Sequence, residues 1–140
     1  MTPEKTNALL TNYPKIFRNG FQFECDDGWY QLISDLCKYI QGMIDNNDHL
    51  ELQQVKAVQV KEKFGTLRFY IEYFESVKGN KRQEEWWSKV YGAIHFAEFI
   101  SRRFCERCGI NQNVKMRSLT GRYHIYCDSC EEQYMREQDA

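Results

Sequence analysis

Apolar residues at Trp29, Leu32, Ile33, Leu36, Ile40, Met43 and Ile44 recur with the helical period. A stripe of about four turns predicts a helix over 29–44, entered through Asp26-Asp27-Gly28 and left through Asp45-Asn46-Asn47-Asp48. An aspartate at that entry is an expected cap, because its carboxylate can accept an orphan backbone N–H. Over 55–75 the period changes to two. Val58 and Val60 fall on one face of a first strand. Leu67, Phe69, Ile71 and Tyr73 fall on one face of a second, with Arg68, Tyr70, Glu72 and Phe74 opposite and Gly65 at the turn between them. Ser76–Lys81 reads as a loop. A second long helix is expected from Gln83 to Phe104, with the stripe Trp87, Val90, Tyr91, Ile94, Ala97 and either Phe99 or Ile100, and Trp86 beside it.

The remaining segments are shorter. Ala8, Leu9, Leu10, Tyr13, Ile16 and Phe17 fit a helix over 6–18 interrupted near Pro14. Residues 21–25 alternate like a strand, and 131–138 fit a final polar helix. The sum is an α+β fold: two long helices packed on a small antiparallel sheet over residues 1–104, followed by a C-terminal four-cysteine zinc ribbon and polar tail over 105–140.

Composition narrows this picture. The 140 residues carry a net charge of -1, and aromatics make up 15%. That is core material for a folded chain, not a disordered one. Balanced charge argues against wholesale coating of nucleic acid or anionic membrane. No apolar run reaches the roughly 18–20 residues of a membrane span, and Met1–Lys5 shows no secretory pattern. A soluble, cytoplasmic protein is expected.

Six cysteines change the picture most. Cys105-x-x-Cys108 and Cys127-x-x-Cys130 are two pairs 18 residues apart, the spacing of a four-thiolate zinc site. Two sulfurs in each pair turn toward one ion while the backbone folds tightly around it, and Gly109 suits that tight turn. Val114–Leu119 and Tyr123–Tyr126 are candidate strands turning at Thr120-Gly121. Four thiolates fill the tetrahedron and leave no position for substrate, so the expected Zn²⁺ is structural. Iron in the same cage is the minority alternative. His124 is a conceivable substitute ligand. Cys25 and Cys37 read as small buried hydrophobes.

Further candidates are cationic. Lys61, Lys63 and Arg68 flank the Gly65 turn and could hold an anion. Arg102 to Arg122 holds six basic residues and one acid, whereas 128–139 holds five acids and one base. Arg117 and Arg122 are therefore the cations a nucleic-acid-binding ribbon would use, with Tyr123 or Tyr126 stacking on a base. The commoner reading of such a run is a solvated face that offsets the charge of the metal site. A ligand-turnover reading would have only Glu72 or Asp27 as acid–base groups. His95-Phe96-Ala97-Glu98 has the wrong spacing for a zinc deaminase. Nucleophile-elbow, phosphate-loop, metalloprotease-helix and dinucleotide-binding patterns are absent.

The blocks Phe23-Glu24-Cys25-Asp26-Asp27-Gly28-Trp29, Val60-Lys61-Glu62-Lys63-Phe64-Gly65-Thr66-Leu67-Arg68-Phe69-Tyr70 and Cys105-Glu106-Arg107-Cys108-Gly109 together resemble small zinc-ribbon proteins encoded by phages and prophages. The resemblance covers about Tyr13 to Cys130. Where those proteins carry glycine before Asp-Gly-Trp, this chain has Asp26. The resemblance implies a phage accessory role in a host cytoplasm. The function expected from it is non-enzymatic binding of a host protein, such as inhibition of a defence component. Nucleic-acid binding through the ribbon and sequestration of a small anionic nucleotide are the alternatives.

Overall fold

The computed structural model describes residues 1–73 and 79–140. Residues 76–78 of the expected loop fall outside them, as does Phe74. The described residues form a mixed α/β structure. Its elements are α1 (Pro3–Asn12), β1 (Phe23–Glu24), α2 (Tyr30–Asp45), β2 (Ala57–Lys63), β3 (Thr66–Ile71), α3 (Lys81–Ile100), β4 (Val114–Leu119), β5 (Arg122–Cys127) and α4 (Asp128–Asp139).

α1 starts and stops earlier than expected. Pro3 suits the first turn, where its missing N–H has no partner to lose. The helix ends at Asn12 because Tyr13 precedes Pro14, whose ring disfavours helical backbone in its neighbour. Ile16 and Phe17, expected on this helix, are buried from the turn that follows.

The first sheet has the order β1-β2-β3 and is mixed, which corrects the all-antiparallel expectation. β2 and β3 form the antiparallel hairpin, but Phe23 and Glu24 of β1 pair in parallel with Val60 and Lys61. The reason is the 16-residue α2 between them, which carries the chain back so that β1 and β2 run the same way. Val58 and Val60 do not share a face. The register shifts between Ala57 and Gln59, so Val58 turns out to solvent while Val60 is fully buried.

Leu67 and Phe69 point into the core, whereas Tyr73 lies past the strand end and is 82% exposed. The free edge of β3 is closed by side chains. Its outward N–H groups at Leu67 and Phe69 donate to Ser101 Oγ at 3.0 Å and to Glu98 Oε1 at 2.9 Å. An edge satisfied in this way offers no row of donors to another strand.

One apolar core joins the helices to this sheet. Phe17, Phe21 and Phe23 cluster with ring centroids 4.9–5.1 Å apart. Trp29, Ile33, Leu36 and Ile40 of the α2 region meet Trp86, Trp87, Val90, Ile94 and Ala97 of α3. Trp86 is thus part of the stripe, and Tyr91 and Phe99 are not, being exposed. α3 ends at Ile100, short of Phe104. A single 3₁₀ turn over Ser101–Arg103 then redirects the chain toward the first cysteine pair.

The entry to α2 also differs. A 3₁₀ turn over Asp27–Trp29 precedes the helix, and Asp26 makes no capping bond. Asp27 instead accepts the Thr2 N–H at 2.7 Å and pairs with Lys5 at 3.5 Å, tying α1 to this turn. Partial burial works against its charge. The Thr2 N–H and the Lys5 ammonium outweigh that and hold its carboxyl below the ordinary value.

Candidate metal centre

Cys105, Cys108, Cys127 and Cys130 converge so that their sulfurs all lie within 4.8 Å of one another. Local hydrogen bonds make the first knuckle. Gly109 N–H donates to Cys105 O at 2.8 Å and Cys105 N–H to Ile110 O at 2.8 Å, with Gly109 at a φ of 83°. The second pair sits where β5 runs into α4: Cys127 occupies the position just before the helix and Cys130 lies in its first turn. α4 begins at Asp128, three residues before the expected start, which puts Cys130 on the helix. A helix N-terminus favours a thiolate there. Burial raises Cys130 and Cys108. Burial opposes Cys127 as well, but hydrogen bonds from the Cys130 N–H and the neighbouring thiols win and lower it.

The apolar cluster here is small. Among the described residues its buried members are Cys105, Tyr126, Cys127 and Cys130. This is a cage that four thiolates and one ion can complete, on a hairpin with little else to hold it.

The first knuckle is seated in a socket made by Asp27-Gly28-Trp29. Gly28 N–H donates to Glu106 O at 3.0 Å, and the Trp29 indole N–H is shared between Ser101 O and Phe104 O, each at 3.2 Å. The approach is close enough to exclude any side chain at 28. A Cβ there would lie 2.0 Å from Cys105 O. The Gly65 turn abuts the far side of the hairpin, where a Cβ would meet Ile125 Cγ1 at 3.2 Å. The Gly28 block therefore meets the first knuckle, while the Gly65 block meets the hairpin behind it.

His124 does not join the cysteines. Its Nδ1 bonds Glu106 Oε1 at 2.6 Å, and its ring stacks on Tyr126 at 4.8 Å. Glu106, 4% exposed, also accepts the Ile125 N–H through Oε2 at 3.2 Å. Its burial raises its carboxyl above the ordinary value against the pull of His124. The pair stitches the first knuckle to β5. Glu106 was not singled out from sequence, where it is one acid in a basic run.

The candidate cations divide into two groups. Arg117 is committed internally: it donates to Tyr126 O at 3.1 Å, pairs with Asp128 at 2.6 Å and also pairs with Glu131. It pins α4 to the hairpin, and its guanidinium is taken up by these partners. Arg122 is exposed, opposite Leu119 in register. Strand alternation puts both on the hairpin face that carries His124 and Tyr126. Lys61, Lys63 and Arg68 lie elsewhere, on the outer face of the β2–β3 hairpin, with Lys61 and Arg68 directly opposed.

Asp27 serves the α1 tether described above. Cys25 and Cys37 are buried, and burial pushes the Cys25 thiol up to about 12 and raises Cys37 as well. Both act as core residues. Between the outer sides of α2 and α3 runs an apolar groove of about 420 Å³, lined by Leu32, Leu36, Tyr39, Ala93, Phe96 and Ile100, with Asp35 and Lys89 at its rim. Tyr39 is 49% exposed and Phe96 62%. No described helix is long and apolar enough to cross a membrane. No family model, curated protein or solved structure matches the chain.

Proposed function

We propose that this is a non-enzymatic accessory protein that binds a host protein through the α2–α3 groove, with a structural Zn²⁺ holding the C-terminal ribbon. The observation that carries the reading is the groove itself. Large apolar side chains left in solvent on two adjoining helices are the material from which protein interfaces are anchored. The opposite charges of Asp35 and Lys89 give it a polar rim. The sequence resemblance to phage and prophage proteins supports a host protein, such as a defence component, as the partner, and a host cytoplasm as the compartment.

Zinc is supported by the spacing of the sulfurs. A Zn–S bond of about 2.3 Å gives a tetrahedral edge of about 3.8 Å. Cys108 Sγ and Cys127 Sγ are 3.7 Å apart. Cysteines 105, 108, 127 and 130 would hold the ion, whose role is to fold the hairpin and so fix the knuckle in its socket.

The test is capture from host extract with the zinc-loaded chain as bait, beside Phe96→Asp and Lys63→Ala variants of equal zinc content. The expected result is a specific host protein retained by wild type and by Lys63→Ala and lost with Phe96→Asp. Capture that ignores Phe96→Asp would remove the groove from the reading. No specific host protein at all would remove the reading itself.

A further inference from the structure

We propose that the outer face of the β2–β3 hairpin, extended by Phe64 and Tyr123, binds single-stranded nucleic acid. Rings and cations alternate along this face. Lys61 Nζ lies 5.9 Å from the Tyr70 ring centroid, and Lys63 Nζ lies 5.8 Å from that of Phe64. Arg68 stands between them, directly across from Lys61. Tyr123 of the cysteine hairpin continues the row, its ring edge-on to Phe64 at 6.5 Å. Tyr70, Phe64 and Tyr123 are 40%, 64% and 51% exposed. A strand of bases joined by phosphates has the same alternation of flat faces and charges, and each base can stack on an open ring whatever its identity.

Two features resist a purely structural account. Phe64 and Gly65 have φ values of 52° and 75°, the two positive angles of the tightest hairpin turn. Asparagine is the favoured residue at the first of these positions. A bulky aromatic there is held in left-handed backbone that its Cβ disfavours. Such strain persists where the side chain serves something outside the fold. Lys61 opposite Arg68 is likewise a repulsive cross-strand pair. Glu24, the acid beside Lys61 in register, accepts from Gln59 Nε2 at 3.0 Å. A phosphate between the two cations would relieve the repulsion. The site is distinct from the ribbon cations: Arg117 is occupied by Asp128 and Glu131, and α4 brings further acids to that side.

The test uses the full zinc-loaded chain with fluorescein-labelled twelve-nucleotide oligothymidylate and oligouridylate, followed by anisotropy at several salt concentrations. Saturable binding is expected, with a log–log salt slope near -2 if Lys61, Lys63 and Arg68 each meet a phosphate, at about -0.7 per contact. Lys63→Ala should reduce that slope by about one third. Phe64→Asn suits the turn, so it should keep or raise the melting temperature while weakening binding about tenfold or more. Tyr123→Ala should weaken it in the same direction. The proposal is overturned if neither oligonucleotide binds at low salt, or if folded Phe64→Asn binds like wild type. It is also overturned if polyglutamate displaces the oligonucleotides at equal charge concentration, because the face then takes an acidic protein.

Discussion

The N-terminal body and the C-terminal cysteine hairpin are held together by different forces. In the body, a continuous apolar core runs from Leu9 to Ala97, with three buried tryptophans and a cluster of phenylalanine rings. Burial on that scale supplies the bulk of folding free energy in an ordinary domain. The hairpin's own apolar cluster is small: its buried members among the described residues are Tyr126 and three of the four clustered cysteines, Cys105, Cys127 and Cys130. Its strands expose Met116 and Tyr123. Apolar burial cannot hold such a segment. If the four thiolates hold an ion as proposed, one chain divides its stability between a solvent-driven core and a coordination-driven one, and the seam between them couples the two. Here the seam is Gly28 against Cys105 and Glu106.

The sharpest way to break this comparison is to remove the metal. Binding to four-ligand zinc sites in small peptides is worth about 10–16 kcal/mol at neutral pH. A chelator, or Cys127→Ser, should therefore unfold residues 105–140 and leave α2 and α3 in place. Residue-resolved amide exchange reads both halves at once. A hairpin that keeps its protection without metal would refute the division.

The next largest effect addresses the seam. Gly28→Ala puts a methyl where Cys105 O and Glu106 O already sit, so the knuckle has to move as a unit. We expect a loss of about 3 kcal/mol or more, with weaker metal retention against a competing chelator. Loss of stability with unchanged metal retention would show that the two halves are less coupled than the contact suggests.

Ser101→Ala tests the body's closed edge. It leaves the buried Leu67 N–H without its acceptor, at about 1–3 kcal/mol. Exchange at the Leu67 amide should rise first, without loss of metal.

The smallest effect separates the two halves by pH. The carboxyl of Asp27 is held below its unfolded value near 3.8. Its contribution is therefore complete above that pH and is lost as pH falls through the lower, folded value. Asp27→Asn should flatten stability only in that acid window. Metal loss by thiolate protonation is expected at higher pH and should be unaffected by the substitution.

These outcomes bear on how much of the molecule can be read from its residues. The cysteine spacing marked all four sulfurs that converge, because a knuckle is a local structure dictated by two nearby residues and a glycine. Val114–Leu119 was legible for the same reason: a short hairpin needs only its turn and its alternation. Parallel pairing of Phe23 with Val60 was not legible, since it depends on where a helix returns the chain. The outward turn of Val58 depends on one register shift, which alternation does not encode. Arg117 read as a free cation because its acids at 128 and 131 become neighbours only when α4 folds back on the hairpin. Glu98, Ser101 and Glu106 carried no signal, as each is a single polar residue whose partner is distant in sequence. Gly28 was visible as a helix entry, but the backbone it must admit lies far downstream.

That distance has a consequence during synthesis. The Trp29 indole N–H finds its acceptor Phe104 O only 75 residues later in the chain. At the roughly 5–20 residues per second of translation, Trp29 is made about 4–15 s before Phe104. Until α3 and the turn after it are made, Trp29 has neither its apolar cover nor its hydrogen-bond acceptors, so this stretch of the nascent chain is where a holding chaperone would meet the protein.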